Sequence, residues 1–124
     1  MITWGWTGMS HDASLAVFKD KQLVFASHAE RYSRIKNDKN LNTWLLSDAL
    51  LEFGEPDRVY YYETPWLKKT RQLYAGQYNL LKKQSPTTHM RKLFKDAPRS
   101  ISTTHHHSHA AAGYFTSEFT DCAI

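Results

Sequence analysis

The chain has 124 residues, of which 41% are hydrophobic and 23% charged, and its formal net charge is +4. This length suits one domain with a single core, and this composition excludes a disordered or fibrous protein. The first residues lack the pattern of a signal peptide, and no uncharged apolar run reaches the roughly 20 residues of a membrane span. Because Cys122 is also the only cysteine, we expect a cytoplasmic protein without a membrane segment.

The first half of the chain predicts three short strands and a helix. Residues 2–9 predict a strand that ends at Gly8, SHDAS (10–14) a turn, and LAVFKD and QLVFASH a hairpin-like pair of strands. Asn40 can cap a helix, because apolar residues follow it at a spacing of about 3.6. Gly54 and Pro56 should stop that helix.

The second half predicts alternating strands and helices. RVYYYET predicts a strand that Pro65 ends, and residues 66–99 predict one or two helices interrupted at Ser85 and Pro86. RSIST predicts a short strand, the histidine cluster opens a helix that runs toward Ser117, and DCAI predicts the start of another strand. This order indicates an α/β fold with a mixed sheet. Because a short apolar strand is an unusual end for a finished domain, we expect a truncated chain whose sheet is incomplete at the C-terminus.

Basic residues are concentrated between residues 66 and 99, a segment with nine lysines and arginines and one acidic residue, Asp96. Most charge runs of this kind are solvated helical faces. Aromatic residues interleave with the cations here, however, and that combination also occurs on surfaces that bind single-stranded nucleic acid. Both interpretations remain open from the residues alone.

The most unusual stretch is HHHSHAAAGYF, residues 105–115. On a helix, His105 and His109 lie on one face and can direct two imidazoles at a common metal ion. Two ligands do not complete a site, so carboxylate, water or substrate would have to supply the others. The alternative is that the histidines cap the helix or face solvent. Iron, zinc, manganese and cobalt all suit such ligands.

Two further stretches carry polar groups that could do chemistry. In the turn SHDAS, the side chains either stabilise the turn itself or stand beside exposed amides that cradle a phosphate or acyl group. ERYSRIK, residues 30–36, brings together Arg31, Arg34 and Lys36. Such a cluster neutralises a phosphate or a developing oxyanion, or else forms a solvated loop.

Three stretches in this order, GMSHDASLAVFKDKQLVFASHAERYSRIKND, VYYYETPWLKKTRQL and HHHSHAAAGYFTSEFTDCAI, resemble the amino-terminal part of the O-carbamoyltransferases that modify nodulation factors and antibiotics. The resemblance covers nearly the whole chain. It implies a lobe of the actin, hexokinase and ribonuclease H group, whose core begins with three antiparallel strands, then a helix, then alternating strands and helices. Residues 1–124 would form this N-terminal lobe, with a basic helical insertion at about 66–99.

The resemblance also implies an activity. A carbamoyl group passes from carbamoyl-adenylate to the hydroxyl of a small-molecule acceptor, and a separate carboxy-terminal domain makes the adenylate from ATP and carbamoyl phosphate. A chain of 124 residues lacks that domain and the second lobe, so we expect it to be inactive alone. The acceptor itself cannot be read from this part of the family.

The resemblance assigns roles to individual residues. The family motif HHxxHA falls on the histidine cluster and makes His105 and His109 the ligands of a divalent metal, with iron or zinc expected. Its HD pair falls on His11 and Asp12, with His11 as the acid/base at the acceptor hydroxyl, and Arg34 or Lys36 would hold the carbamoyl oxygen or the adenylate phosphate. The remaining residues expected to bind the adenylate are Ser10, Ser14, Glu30 and Arg31.

The sequence departs from the family pattern at two places. Many members have histidine at the position of Asn37, so one acid/base group is lost here. The family also continues beyond the position of Ile124 into an Asp-Gly turn that supplies a further metal ligand.

Two other functions remain as alternatives. The tRNA threonylcarbamoyl-transferase group has a similar fold and an H-x-x-x-H metal helix, but SHDAS and ERYSR favour the antibiotic-type family. A non-catalytic binding module would use the basic segment. For that segment we expect contacts with another domain or a second copy of the chain in a homodimer rather than with nucleic acid.

Overall fold

The computed structural model describes residues 1–76, 85–118, 120 and 121. The strands are β1 (Ile2–Thr7), β2 (Ser14–Lys19), β3 (Gln22–His28), β4 (Arg58–Tyr61) and β5 (Ser100–Ser102). The helices are α1 (Glu30–Ser33), α2 (Thr43–Phe53), α3 (Pro65–Tyr74), α4 (Pro86–Leu93) and α5 (His105–Phe115). No helix in these described ranges is long and apolar enough to cross a membrane.

The strands form one five-stranded mixed sheet in the order β3-β2-β1-β4-β5. The first three strands are antiparallel neighbours, whereas β4 and β5 run parallel to β1. The predicted α/β class and the antiparallel start of a mixed sheet are therefore confirmed. Because β1, β4 and β5 are parallel, their carboxyl ends meet at one edge of the sheet, which is where open α/β sheets usually bind ligands.

One face of the sheet carries the hydrophobic core. Trp4 lies opposite Val17 on one neighbouring strand and Val59 on the other, and Trp6 lies opposite Leu15 and Tyr61 in the same way. All of these side chains are buried, and α2 and α4 contribute further buried residues, namely Leu45, Leu46, Ala49 and Met90. Alternation along each strand thus places the largest apolar side chains on one face, under the helices.

The opposite face is open in the described part of the chain. It presents Gly5, whose added Cβ would meet nothing within 4 Å, and the partly exposed Phe18 and Ile101. Substitutions at Gly5 can therefore be made without touching the core.

Three local expectations differ from the structure. Asn42, not Asn40, caps α2, because its extended backbone lets Oδ1 accept a 2.9 Å hydrogen bond from the amide of Leu45. The amide of Asn40 instead donates to the Asp38 carboxylate in a turn. Strand β1 ends at Thr7 rather than Gly8. The stretch ERYSRIK opens as the one-turn helix α1, which stops where Arg34 adopts a left-handed conformation with φ 60°.

The described residues of the basic segment contain helices α3 and α4, in agreement with the predicted helical character. Ser85 begins α4, because its hydroxyl accepts a hydrogen bond from the amide of Thr88. Lys82 and Lys83 of this segment lie outside the described residues. So do Cys122–Ile124, which carry most of the predicted final strand.

Candidate functional site

The turn after β1 is held rigidly in place. The amide of Met9 donates to the carbonyl of Lys39 and the amide of Ala13 to the carbonyl of Asp38, both at 2.7 Å. Gly8 has φ +154°, and a Cβ there would lie 3.1 Å from the carbonyl oxygen of Lys39. Only glycine accommodates both the backbone and the close approach. The turn that carries Ser10 and His11 is therefore fixed against the loop that follows ERYSRIK.

Tyr61, the last residue of β4, connects this turn to the sheet. The hydroxyl of Tyr61 is buried and donates a 3.0 Å hydrogen bond to the carbonyl of Gly8. Burial, with the carboxylate of Glu63 beside it, raises the pKa of Tyr61 well above its usual range. Its hydroxyl therefore stays protonated and remains a donor, which fixes the turn to β4.

Tyr62 touches both predicted histidine motifs. Its hydroxyl lies 3.4 Å from the hydroxyl of Ser10, and its ring meets His11 edge-on with centroids 5.9 Å apart. The same ring meets His105 edge-on at 5.4 Å. Tyr62 thus joins the turn after β1 to the first turn of α5, although the two motifs are far apart in sequence.

The histidines four apart on α5 face each other. The Nε2 atoms of His105 and His109 are 3.1 Å apart, and the ring centroids are 4.6 Å apart. Two imidazole nitrogens that bind the same zinc ion, each at about 2.0–2.1 Å in tetrahedral geometry, are roughly 3.3 Å apart. The observed separation is that of a hydrogen bond between the two rings, and it is also close to the separation in a pair that shares a divalent metal.

Hydrogen bonds to β4 and β5 hold the beginning of α5 in position. The hydroxyl of Ser108 donates to the carbonyl of Tyr62 at 2.9 Å and lies 2.7 Å from the hydroxyl of Thr103. Thr103 in turn binds the carbonyl of Tyr61 through its amide and hydroxyl. No residue of α5 is buried. Polar contacts in its first turn, rather than apolar packing, therefore orient the imidazole pair.

The Nδ1 atom of His105 is buried and has no hydrogen-bond partner among the described residues. An imidazole that binds a metal through Nε2 carries its proton on Nδ1 and normally donates it to a carbonyl or carboxylate. Within the described residues that second interaction is lacking, and the ring of His105 packs against the ring of Tyr62 instead.

A cavity of about 420 Å³ opens beside His105, and Glu63 and Arg71 lie on its wall with His106. Glu63 was not among the predicted site residues. Its position two residues after β4 gains meaning only from the parallel pairing of β4 with β1, which places it at the edge where open α/β sheets usually bind ligands. Sequence reasoning treated it only as the end of the strand RVYYYET. The cavity combines imidazole, carboxylate and guanidinium groups at one place.

The structure brings three of the predicted site residues, Ser10, His11 and His105, into contact with Tyr62, and His109 contacts His105. Two others have structural contacts. The hydroxyl of Ser14 lies 3.0 Å from that of Thr7, and the carbonyl of Asp12 accepts a hydrogen bond from Thr7. The Ser14 contact agrees with the alternative interpretation of SHDAS, in which the side chains stabilise the turn, whereas the Asp12 contact is made by the backbone and assigns no role to its carboxylate.

The remaining predicted residues line a shallow surface pocket of their own. Glu30, Arg31, Arg34 and Lys36 surround it, and the carboxylate of Glu30 accepts a hydrogen bond from the amide of Asn37. Asp38 and Lys39, which follow directly, hold the turn of His11 through their carbonyls. The cations therefore lie on a segment whose end is attached to the histidine-bearing turn.

No group of three or more histidine, cysteine, aspartate or glutamate side chains within the described ranges is arranged to hold a metal ion. The imidazole pair is thus a partial ligand set in this part of the chain. Completing it requires a further donor, as the sequence already indicated.

Comparison with known proteins gives one relative of unstated function. The chain is 28% identical, over an alignment 141 positions long, to a Synechocystis protein named "Uncharacterized protein sll1178", and the alignment covers 92% of the chain. It covers 23% of that relative, so the chain spans less than a quarter of its length. No family model matches the sequence.

Proposed function

We propose that the chain is the amino-terminal lobe of an O-carbamoyltransferase, which transfers the carbamoyl group of carbamoyl-adenylate to an acceptor hydroxyl. One observation carries this proposal. The two motifs on which the resemblance rests most heavily, the His11 turn and the His105–His109 pair, both contact the ring of Tyr62. Side chains that only stabilised their own loops would not be expected to meet at the sheet edge where open α/β sheets usually bind ligands.

The order of strands and helices along the chain also supports the proposal. Along the described chain, three antiparallel strands precede helices α1 and α2, and β4, the helices α3 and α4, β5 and α5 follow in that order. That succession is the one implied for a lobe of the actin, hexokinase and ribonuclease H group. We assign the chain to this group as part of the same proposal.

The imidazole pair fits a divalent metal. His105 and His109 would hold it, with a carboxylate or other donor in addition, and iron or zinc is the expected ion. When bound, the metal would supply Lewis-acid polarisation and help to orient the adenylate. Glu63 lies on the wall of the adjoining cavity and is a carboxylate of the required chemistry.

The reaction itself places demands on the protein side chains. The acceptor oxygen forms a bond to the carbamoyl carbon, the bond from that carbon to the phosphate oxygen breaks, and AMP leaves. The hydroxyl proton passes to His11, whose exposed imidazole lies edge-on to Tyr62. Arg34 or Lys36 would neutralise the phosphate or the carbamoyl oxygen as charge develops there.

Several partners belong to this proposal. The reaction needs a second lobe, an adenylate-forming domain and a small-molecule acceptor. A cytoplasmic setting and a homodimer fit it as well, whereas nucleic acid plays no part in it.

The proposal is tested by binding of a non-hydrolysable sulfamate analogue of carbamoyl-adenylate to the metal-loaded chain. We expect saturable binding that weakens about tenfold in His11→Ala, which corresponds to the loss of one good hydrogen bond or contact. His107→Ala is the matched control, because His107 is an exposed imidazole on α5 outside the Tyr62 cluster. Equal affinity of wild type and His11→Ala would contradict the assignment.

A second analogue separates the proposal from its nearest rival. In the threonylcarbamoyl-adenylate analogue, the carbamoyl nitrogen is the amino nitrogen of a threonine, so it carries that amino acid's carboxylate and side chain. If it binds more tightly than the unsubstituted analogue, the chain belongs with the tRNA threonylcarbamoyl-transferases instead.

A further inference from the structure

A second cleft lies between α3, α4 and the edge strand β5. Its volume is about 590 Å³, which is in the range of pockets that hold small ligands. It contains none of the residues that the proposed function uses. The basic segment, which the proposed carbamoyl transfer leaves without a role, forms most of its wall.

The charge of this cleft is one-sided. Lys69, Arg91 and Arg99 line it, and none of the described residues on its wall is acidic. Arg91 is held in place, because its Nε donates a 3.1 Å hydrogen bond to the carbonyl of Ala97. Three cations that converge on a concave surface without a carboxylate attract a multiply charged anion such as a phosphate chain.

A buried polar group in the wall points to the same kind of ligand. Ser100 is 7% exposed, and its hydroxyl has no hydrogen-bond partner among the described residues. Its amide donates to the hydroxyl of Thr87, so the backbone is satisfied while the side chain is not. A buried hydroxyl that is left unpaired has a free-energy cost. A ligand oxygen or a bridging water in the cleft would remove that cost.

The rim supplies an aromatic surface. Trp66, at the beginning of α3, lines the cleft and is 64% exposed. Indole rings exposed beside cations are typical stacking platforms for nucleobases. A ligand that satisfies every feature of the cleft therefore combines a phosphate group with a planar ring.

We propose that this cleft binds a nucleoside phosphate, with the phosphates on Lys69, Arg91 and Arg99 and the base against Trp66. The site is separate from the histidine cluster, and the proposal does not rest on carbamoyl transfer. It gives the basic segment a small-molecule ligand in place of the nucleic-acid or protein contacts considered from the sequence.

ADP is the probe that tests it, with affinity measured by calorimetry and the position of the ring by tryptophan fluorescence. We expect the affinity for ADP to fall about tenfold in Arg99→Ala and in Lys69→Ala, since each removes a charge-assisted contact. Lys95→Ala is the matched control, because Lys95 is an exposed cation of the same segment that does not line the cleft. Circular dichroism verifies that each variant is folded.

The fluorescence measurement compares two tryptophans of similar exposure. Trp66 and Trp44 are 64% and 65% exposed, but only Trp66 lines the cleft. ADP should quench the emission of wild type and Trp44→Leu and leave that of Trp66→Leu unchanged. Quenching that persists in Trp66→Leu would overturn the placement of the base.

Two ligand controls complete the test. Adenosine should bind at least tenfold more weakly than ADP, because it lacks the phosphates. Equal binding of adenosine and ADP, or an affinity for ADP that is the same in Arg99→Ala, Lys69→Ala and wild type, would overturn the proposal. Binding of a single-stranded oligonucleotide alone, with steep salt dependence, would overturn it in favour of a nucleic-acid surface.

Discussion

Helices α2 and α5 differ in how they are attached to the sheet. Helix α2 contributes to the stability of the protein, whereas α5 carries the candidate metal ligands. α2 buries Leu45, Leu46 and Ala49 against the core face, whereas α5 buries no residue at all. The beginning of α5 is held instead by Ser108. Truncation of the buried residues of α2 should therefore destabilise the whole protein, whereas mutations at the start of α5 should displace the imidazole pair and leave the core intact.

The largest effect that this comparison predicts is for Leu45→Ala. Leu45 is fully buried, so its truncation leaves a cavity and should lower the free energy of unfolding by about 2–5 kcal/mol. Urea denaturation measures the change. Leu51→Ala is the control, because Leu51 lies on the same helix and is 87% exposed, and it should cost less than about 0.5 kcal/mol. Similar losses in both variants would mean that α2 does not pack as described.

The next effect concerns the turn that carries His11. Gly8→Ala forces a side chain into a backbone conformation with φ +154° and against the carbonyl of Lys39, so we expect a loss of about 1–3 kcal/mol. Gly5→Ala is the matched variant, because its Cβ enters open space and its backbone is ordinary strand. It should be neutral or stabilising by up to about 1 kcal/mol. The pair is compared by thermal unfolding, and equal behaviour would remove the argument for a fixed turn.

A smaller change is expected for Ser108→Ala, which removes the contacts of the first turn of α5 with Tyr62 and Thr103. Stability should fall by about 1 kcal/mol, as for the loss of one intramolecular hydrogen bond. Metal affinity should fall about tenfold, because supporting contacts orient the ligands. Ser117→Ala at the other end of α5 is the control, since Ser117 binds the carbonyl of Tyr114 far from the imidazoles. An unchanged metal affinity in Ser108→Ala would show that the pair is oriented by other contacts.

The smallest predicted effect is a pH dependence of the free energy of unfolding that comes from His89. His89 stacks on Trp6 at 5.6 Å, and burial, followed by the nearby Lys92, lowers the pKa of His89 below its ordinary value of 6.5. The unfolded chain therefore binds this proton more readily than the folded chain. Stability due to neutral His89 is fully present above pH 6.5 and is lost as the pH falls through the lowered value. Urea midpoints between pH 7 and pH 4 should decline less in His89→Phe than in wild type or in the exposed-site control His28→Phe.

Much of the fold was readable from the sequence because apolar periodicity and the Gly and Pro signals are local. Strands ITWGWT and SLAVFK begin and end within one residue of where they were predicted, and the predicted break at Ser85 and Pro86 is where α4 begins. The cap of α2 was misplaced by two residues, because Asn40 and Asn42 are equally good caps in sequence and only the backbone of Asn42 is extended appropriately. Propensity alone does not decide between such neighbours.

The candidate site was predictable only in part. The spacing of His105 and His109 indicates a shared face of a helix, and the structure has their Nε2 atoms 3.1 Å apart. Tyr62 and Glu63 were not found, because their importance depends on the parallel pairing of β4 with β1, which brings the ends of distant segments together. Long-range pairing of this kind leaves no periodic signal in a single sequence.

The central claim is that the imidazole pair beside Tyr62 is a metal site. Calorimetric titration of the metal-free chain with ferrous iron or zinc tests it most directly, with His105→Ala/His109→Ala compared with His106→Ala/His107→Ala from the same helix. The account predicts one-to-one binding in wild type and in the His106/His107 variant, and none in the His105/His109 variant. Equal binding by the wild type and the His105/His109 variant would contradict it.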